Sequence, residues 1–417
     1  CDEYPTNMEG FPVRLNYEYC DRLIGKKLGH DTIKRIAESL EMKVENEDAE
    51  GLNLLVPPYR VDVQRPCDVV EDILRIYGYN NVEIPTELKS SLTIAEEADK
   101  NYHRENIIGE QLVGAGFSEI MNNSLTKSSY YEEAGLNAYP WEETVKVMNP
   151  LSADLGVMRQ TLLFGGLESI VRNVNRKAQN LRFFEVGNVY KYSKERWTEE
   201  NPVKAYSQDY HMALWVTGKR VQGSWAHPDE ESSFYELKAH VENILRRIGV
   251  AQGLLVSEKS DNNVFDKAIA LKTRAGKVLV EMGILSHKLL KRFGLDQKVY
   301  YADLDWAGLM KAIRKNKLQF QEISKYPAVS RDLALLVDNN VEFAQIEEIA
   351  RQADKKLLKR VELFDVYQGE NLPEGKKSYA VNFILQDETK TLNDKAIDAI
   401  MQKLIKNLTN KLGAELR

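Results

Sequence analysis

The sequence predicts a multidomain α+β protein, and three observations lead there. At 417 residues the chain is too long for one ordinary hydrophobic core, and its length suits roughly two to four domains. Its middle reads as period-two strands with covering helices, the pattern of an antiparallel sheet layered with helix. From Phe320 onward the elements read βαββαβ, a ferredoxin-like order. The expected units are residues 1–90, a small winged-helix-like domain; 91–317, the antiparallel sheet module; and 318–417, the ferredoxin-like domain.

Composition narrows the class. With 43% hydrophobic and 29% charged residues, the chain can pack an interior. No apolar run approaches the roughly 18 residues that cross a bilayer, and no signal peptide opens the chain. A cytoplasmic protein with no membrane contact is expected. Cys1, Cys20 and Cys67 lie far apart, which is no disulfide framework, and six scattered histidines give no zinc spacing. The formal charge of −6 argues against a surface coated in basic residues for nucleic acid, though a local patch is compatible with it. Because the chain opens at Cys1 without an initiator Met, it is expected to be the C-terminal portion of a longer polypeptide.

In the first unit the pattern predicts a strand at Val13-Arg14-Leu15 and a helix from Tyr17 to Ile24. A second helix, capped by Asp31, should bury Ile33, Ile36, Ala37 and Leu40. A hairpin follows, with Met42-Lys43-Val44 and Leu52 to Val56 flanking the polar turn Glu45 to Gly51. Pro66 then opens a helix, since its fixed φ is already helical and its missing N–H has no intrahelical role there. Gly78 should close it as a C-cap. Helices with a hairpin wing occur in DNA-binding folds, but that topology alone is weak evidence of nucleic-acid contact, and a scaffold domain held against neighbours is the favoured reading.

On the Pro66 helix Asp68, Glu71 and Asp72 are spaced i, i+3 and i+4, which stacks three carboxylates on one face. Like charges so close repel unless something positive sits among them, and a hard cation with oxygen ligands such as Mg²⁺ is one solution. The bland alternative is the helix dipole, which favours acids in a first turn by roughly 0.3–1 kcal/mol each.

In the middle unit a long helix, about Ala98 to Ala115, should end at Gly116. Gly114-Ala115-Gly116 therefore closes a helix, whereas a dinucleotide phosphate loop would open one. Strands are expected at Val145 to Val147, Arg182 to Tyr190, His211 to Thr217, Ala268 to Thr273, Lys277 to Ile284 and Val299 to Asp305. Helices are expected at Leu167 to Arg176, Ser233 to Ile248, Ser286 to Phe293 and after Trp306.

In the last unit strands are expected at Asp332 to Asp338, Val361 to Gln368, Lys377 to Gln386 and Ala414 to Leu416. Helices should run from Phe343 to Leu358 and from Asn393 to Leu412, with Thr391 and Asp394 at capping-box spacing. Residues 319–417 hold 15 Lys and Arg against 16 Asp and Glu, a net of −1, so charge does not announce RNA. Arg331, Lys355, Lys356, Lys359 and Arg360 are the candidates for phosphate contacts, and Phe364 and Tyr367 for base stacking. Solvated surface and ordinary sheet packing are the competing readings of each.

Three blocks carry a family resemblance. The run PPYRVDV followed by CDVVEDILRIYGYNNVEIP resembles a segment of bacterial phenylalanyl-tRNA synthetase beta subunits, where a Pro-x-x-R-x-D element precedes a D-x-x-E-E-x-x-R-x-Y-G-Y helix. The resemblance implies a Mg²⁺ ion near an alpha subunit, carried onto Asp62, Asp68, Glu71 and Asp72. This chain departs from the pattern at Asp72, where the family has Glu. The block from MRQTLLFGGL to FFEVG resembles the motif 2 region of class II aminoacyl-tRNA synthetases in its beta-subunit version, and YPAVSRDLALLVD with the ending LGAELR resembles the ferredoxin-fold anticodon-binding domain.

A catalytic motif 2 has R-x-E, which period two places on one strand face. Here Arg182 and Glu185 are three apart and should face opposite ways; nothing in Lys277 to Lys317 resembles the motif 3 arginine either. The resemblance therefore implies a class II-like module without catalytic motifs, inside a ligase subunit inactive on its own. ATP and phenylalanine would sit in an alpha subunit, tRNA for phenylalanine would be bound jointly, and two alpha and two beta chains would assemble. A self-sufficient class II ligase and a non-enzymatic RNA-binding or scaffold protein are the alternatives. ATP–pyrophosphate exchange by the chain alone separates these two.

Overall fold

A computed structural model describes the chain except residues 1, 2, 4, 7, 86–95, 133–134, 252, 317–319, 321 and 370–371. It forms two compact units, Cys1–Lys100 and Asn101–Arg417. The expected boundaries at 90/91 and 317/318 touch residues outside the described set.

The first unit runs β1 (Phe11–Asn16), α1 (Tyr17–Ile24), α2 (His30–Ser39), β2 (Lys43–Glu47), β3 (Gly51–Val56) and α3 (Pro66–Tyr77). Its antiparallel sheet has the order β1-β3-β2. The Asn16 side chain accepts from Tyr19 N to start α1, and Gly25, at φ 82°, stops it in the left-handed region that glycine enters freely. Asp31 is not the cap of α2: the helix starts after Gly29 without a side-chain cap, and Asp31 lies in its first turn. The hairpin turn is tighter than expected because Asp48 Oδ1 accepts from both Glu50 N and Gly51 N, so Glu45 to Glu47 stay in β2. Leu15, Ile33, Leu54, Val69 and Ile73 meet in the core.

Next along the chain come α4 (Glu97–Gly114), most of which lies in the second unit, β4 (Ser118–Glu119), β5 (Leu125–Thr126), α5 (Ser129–Glu132), β6 (Val157–Met158) and α6 (Leu163–Asn175). The second unit continues through β7 (Leu181–Tyr192), β8 (Tyr206–Thr217), β9 (Lys219–Val221), β10 (Glu230–Glu231), α7 (Phe234–Arg247), β11 (Leu255–Ser260), β12 (Phe265–Thr273), β13 (Val278–Leu285), α8 (His287–Arg292), β14 (Val299–Asp305) and α9 (Trp306–Ile313). Seven strands form one sheet, β11-β12-β13-β14-β8-β7-β4, antiparallel except for the short parallel β4·β7 pair. One core contains Leu112 of α4, Leu237 of α7 and Leu309 of α9, and a second contains Leu167 of α6 and Leu289 of α8. Sandwiched between them, β8 is buried at every position from Met212 to Thr217, so its apolar residues run continuously rather than alternating.

The strand expected at Val145 to Val147 is only an isolated bridge from Lys146 to Val157. The edge strand β11 escaped the sequence pattern because its Val256 to Lys259 segment is exposed and mostly polar.

The chain ends with β15 (Val329–Asp338), α10 (Phe343–Ala353), β16 (Leu358–Tyr367), β17 (Lys376–Leu385), α11 (Asp394–Leu412) and β18 (Glu415–Leu416), in sheet order β16-β17-β15-β18. Helix α10 stops at Ala353, short of the expected Leu358, because Asp354 is extended and its Oδ1 takes Lys356 N and Leu357 N. Asn393, not Thr391, caps α11 by accepting from Ala396 N.

Candidate functional site

Three of the four carboxylates around α3 lie against arginines. Asp68 closes a capping box, accepting from Arg65 N at 2.9 Å and from Arg65 Nη2 at 2.9 Å. The Arg65 side chain, helped by the N–H groups of Arg65 and Gln64, holds the Asp68 carboxyl far below the usual range. Asp72 Oδ2 accepts from Arg60 Nη2 at 2.6 Å. Asp62 is 75% exposed and lies 3.9 Å from Arg60 Nε. Glu71 is exposed and has no ion-pair partner among the described residues. Thus the positive charge expected among these acids is present as Arg60 and Arg65.

Among the described residues no three carboxylates, histidines or cysteines converge into a metal-binding group. Glu71 and Asp62 are the more exposed of the four carboxylates, and Asp72 accepts from Arg60 through Oδ2 alone; an ion held here would have to complete its shell with water or with oxygens from another chain.

On the seven-stranded sheet Arg182 and Glu185 do face opposite ways. Arg182 Nε donates to Glu236 Oε1 of α7 at 2.9 Å, whereas Glu185 Oε1 takes Arg159 Nη1 at 2.6 Å. The Arg159–Glu185 pair is buried, and Asn122 Nδ2 donates to the other carboxylate oxygen. Arg159 also donates to the Asn188 and Asn122 carbonyls, so both ions are committed. Beside them Trp215 of β8, Tyr301 of β14, Phe265 of β12 and Phe164 of α6 fill the same face of the sheet. Gly166 lets α6 approach this closely, since a Cβ there would lie 2.1 Å from the Trp215 ring. The opening left beside Arg159, Thr161 and Phe164 is about 240 Å³, below the ~300–1,000 Å³ common for small-ligand sites.

The last sheet is different. Helices α10 and α11 bury one face, with Ile346, Leu404, Val381 and Phe383 between them and the strands. On the other face Ala334, Asp365, Tyr367, Ser378, Ala380 and Arg417 line a trough of about 570 Å³, within the ~300–1,000 Å³ common for small-ligand sites. Cross-strand register explains the grouping: Ser378 pairs with Tyr367, and Ala380 with both Asp365 and Ala334. The floor is small side chains and one wall is the Tyr367 ring, with the Arg417 guanidinium 5.5 Å from its centroid. Arg417 is held there because its N–H donates to the Ala334 carbonyl.

Of the stacking candidates, Tyr367 lines this trough, while Phe364 is exposed at a bulge in β16. The basic candidates lie elsewhere. Lys359 pairs with Glu388 and Arg360 with Glu362, seven residues back along β16, roughly 23 Å from Tyr367 at strand rise. Lys355 and Lys356 follow α10, and exposed Arg331 donates to the Ser330 carbonyl. Asp365, Ser378 and Arg417 went unselected from sequence. The small residues Ser378 and Ala380, alternating with Tyr379 and Val381, were the available signal.

Comparison with known proteins matches each region. Residues 13–79 match the tRNA synthetase B5 domain, 84–306 the phenylalanyl tRNA synthetase beta chain CLM domain, and 324–417 the ferredoxin-fold anticodon binding domain. The phenylalanine–tRNA ligase beta subunit of Bacteroides thetaiotaomicron is 59% identical over 409 residues, 98% of this chain and 50% of that protein. That of Porphyromonas gingivalis is 47% identical over 416 residues, covering 100% and 50%. That of Syntrophotalea carbinolica is 32% identical over 421 residues, covering 100% and 51%. The chain spans about half the length of the curated relatives it matches. Since the beta-chain CLM match alone takes in more than half of the residues, flanked by the other two domains in order, the chain belongs to the phenylalanyl-tRNA synthetase beta-chain family.

Proposed function

We propose that this chain acts as a non-catalytic beta subunit of phenylalanine–tRNA ligase. It would support an alpha subunit that joins phenylalanine to its tRNA with ATP, in a cytoplasmic assembly of two alpha and two beta chains. The observation that carries this reading is the contrast between the two sheets: the class II-like sheet is packed on both faces, while the ferredoxin-like sheet keeps one face open. ATP–pyrophosphate exchange with phenylalanine is the test. The expected result is no exchange by the pure chain and tRNA charging only when an alpha subunit is added; exchange by the chain alone would reverse the assignment.

In this reading the trough takes a base of the tRNA. An unpaired base stacks on Tyr367 and offers its donors to Asp365, while Ser378 and Ala380 let the ring lie close to the strands. Tyr367→Ala is expected to weaken binding of a phenylalanine tRNA transcript by about 1–3 kcal/mol, the worth of one base–aromatic stack. An unchanged affinity in a titration would remove the trough from the RNA-binding surface.

The Mg²⁺ ion belongs to the same proposal. Of Asp62, Asp68, Glu71 and Asp72, the exposed Glu71 and Asp62 would reach it most readily, directly or through water, with Asp68 and Asp72 beside them, and its charge would add to that of Arg60 and Arg65. Glu71→Gln is then expected to make assembly with the alpha subunit weaker and no longer dependent on Mg²⁺. If assembly of this variant follows the wild-type Mg²⁺ titration, Glu71 is an exposed helix acid and nothing more.

A further inference from the structure

The catalytic-like module carries a concentration of exposed basic side chains on two of its helices. Helix α6 and the two residues after it present Arg172, Arg176 and Lys177, and α8 presents Lys288, Lys291 and Arg292; all six are exposed. In a chain of net charge −6, the one acid on these two helices is Glu168, and its carboxylate takes the Tyr130 hydroxyl at 2.5 Å. The helices are neighbours: a groove of about 550 Å³ is lined by Glu168 and Arg172, by Arg292 and Phe293, by Tyr130, and by Asp154, which pairs with Lys127 at 3.7 Å. Phe293 is seated against Tyr130 and Phe164.

A helix dipole favours cations in and just past a last turn, but it does not account for the backbone that Lys177 adopts. That lysine stands at φ 71°, in the left-handed region, as the C′ residue of a Schellman turn. Lys177 N donates to the Val174 carbonyl, and Ala178 N to that of Asn173. Glycine would take that position without the steric cost a Cβ incurs. Here the helix ends on a charged residue instead, adding a third cation beside Arg172 and Arg176.

We infer that this face of the module is an RNA-backbone contact, whose arginines and lysines hold phosphates of the tRNA whose base enters the ferredoxin-like trough. The inference rests on the proposed tRNA reading and adds a second, sequence-independent contact to it. Such a contact is driven by counterion release, so it must show in the salt dependence of binding.

The test uses the 417-residue chain, a phenylalanine tRNA transcript and a NaCl titration. Lys177→Gly removes one charge and relieves the left-handed strain, so thermal stability should hold or rise. The slope of log K against log salt is expected to fall by about 0.7–0.9, with about fivefold weaker binding near 0.15 M. The pair Arg172→Gln and Arg176→Gln should lower the slope by about twice as much. Slopes equal to wild type, with Tyr367→Ala still weakening binding, overturn the backbone contact and leave the trough standing. A wild-type chain that binds no tRNA overturns both. Variants that bind RNA normally but fail to assemble with an alpha subunit make this face a protein interface, which also overturns the inference.

Discussion

Glu185→Ala is expected to cost the catalytic-like module about 3–5 kcal/mol, the usual consequence of stranding a buried charge. Arg159 and Glu185 are 8% and 1% exposed at the side chain, and their contact is 2.6 Å. Without the carboxylate, Arg159 keeps only carbonyl partners, and Asn122 loses both of its bonds to Glu185. The midpoint of chemical unfolding reads the loss. Replacing both ions with apolar residues of similar size, Arg159→Met with Glu185→Leu, should recover much of it, because the pair's own desolvation penalty disappears as well. A Glu185→Ala chain within about 1 kcal/mol of wild type would falsify the buried pair, since that is the range of an exposed one.

Trp215→Ala carries the other large effect, about 3–5 kcal/mol, from lost burial and from a cavity that the surrounding sheet cannot close. Trp215 is fully buried between Tyr301 and α6. Its indole N–H has no hydrogen-bond partner among the described residues, so Trp215→Phe should cost clearly less. Even with the plug removed, the chain is expected to show no ATP–pyrophosphate exchange. Glu185 remains tied to Arg159, and Arg182 remains on the far face with Glu236. Exchange appearing in the Trp215→Ala chain would mean that the aromatic plug alone had silenced a competent site.

Much of the architecture was legible because it follows from local chemistry. Helix α1 spans the residues that its pattern indicated, since Asn16 and Gly25 mark both ends within the sequence itself. Pro66 and Gly78 do the same for α3. Capping assignments failed at α2, which starts after Gly29 with no side-chain cap, and at α11. Asn393 prevailed over Thr391, and Asp354 ended α10 early, because backbone geometry at those positions decided which oxygen reached which N–H.

By itself the sequence determined the order of elements, the opposite facing of Arg182 and Glu185, and the acidic face of α3, all consequences of fixed helical and strand periods. Only the tertiary structure decided what those side chains meet. Arg60 lies twelve residues from Asp72, and Arg159 twenty-six from Glu185, so neither neutralising partner follows from spacing. The trough is the extreme case: Ala334, Tyr367, Ser378 and Arg417 come from four separate segments and become one surface only through the register of β15, β16 and β17. Side chains on one strand alternate by a local rule, but which strands lie side by side is settled by burying the helix face of the whole sheet, and that is a property of the folded chain.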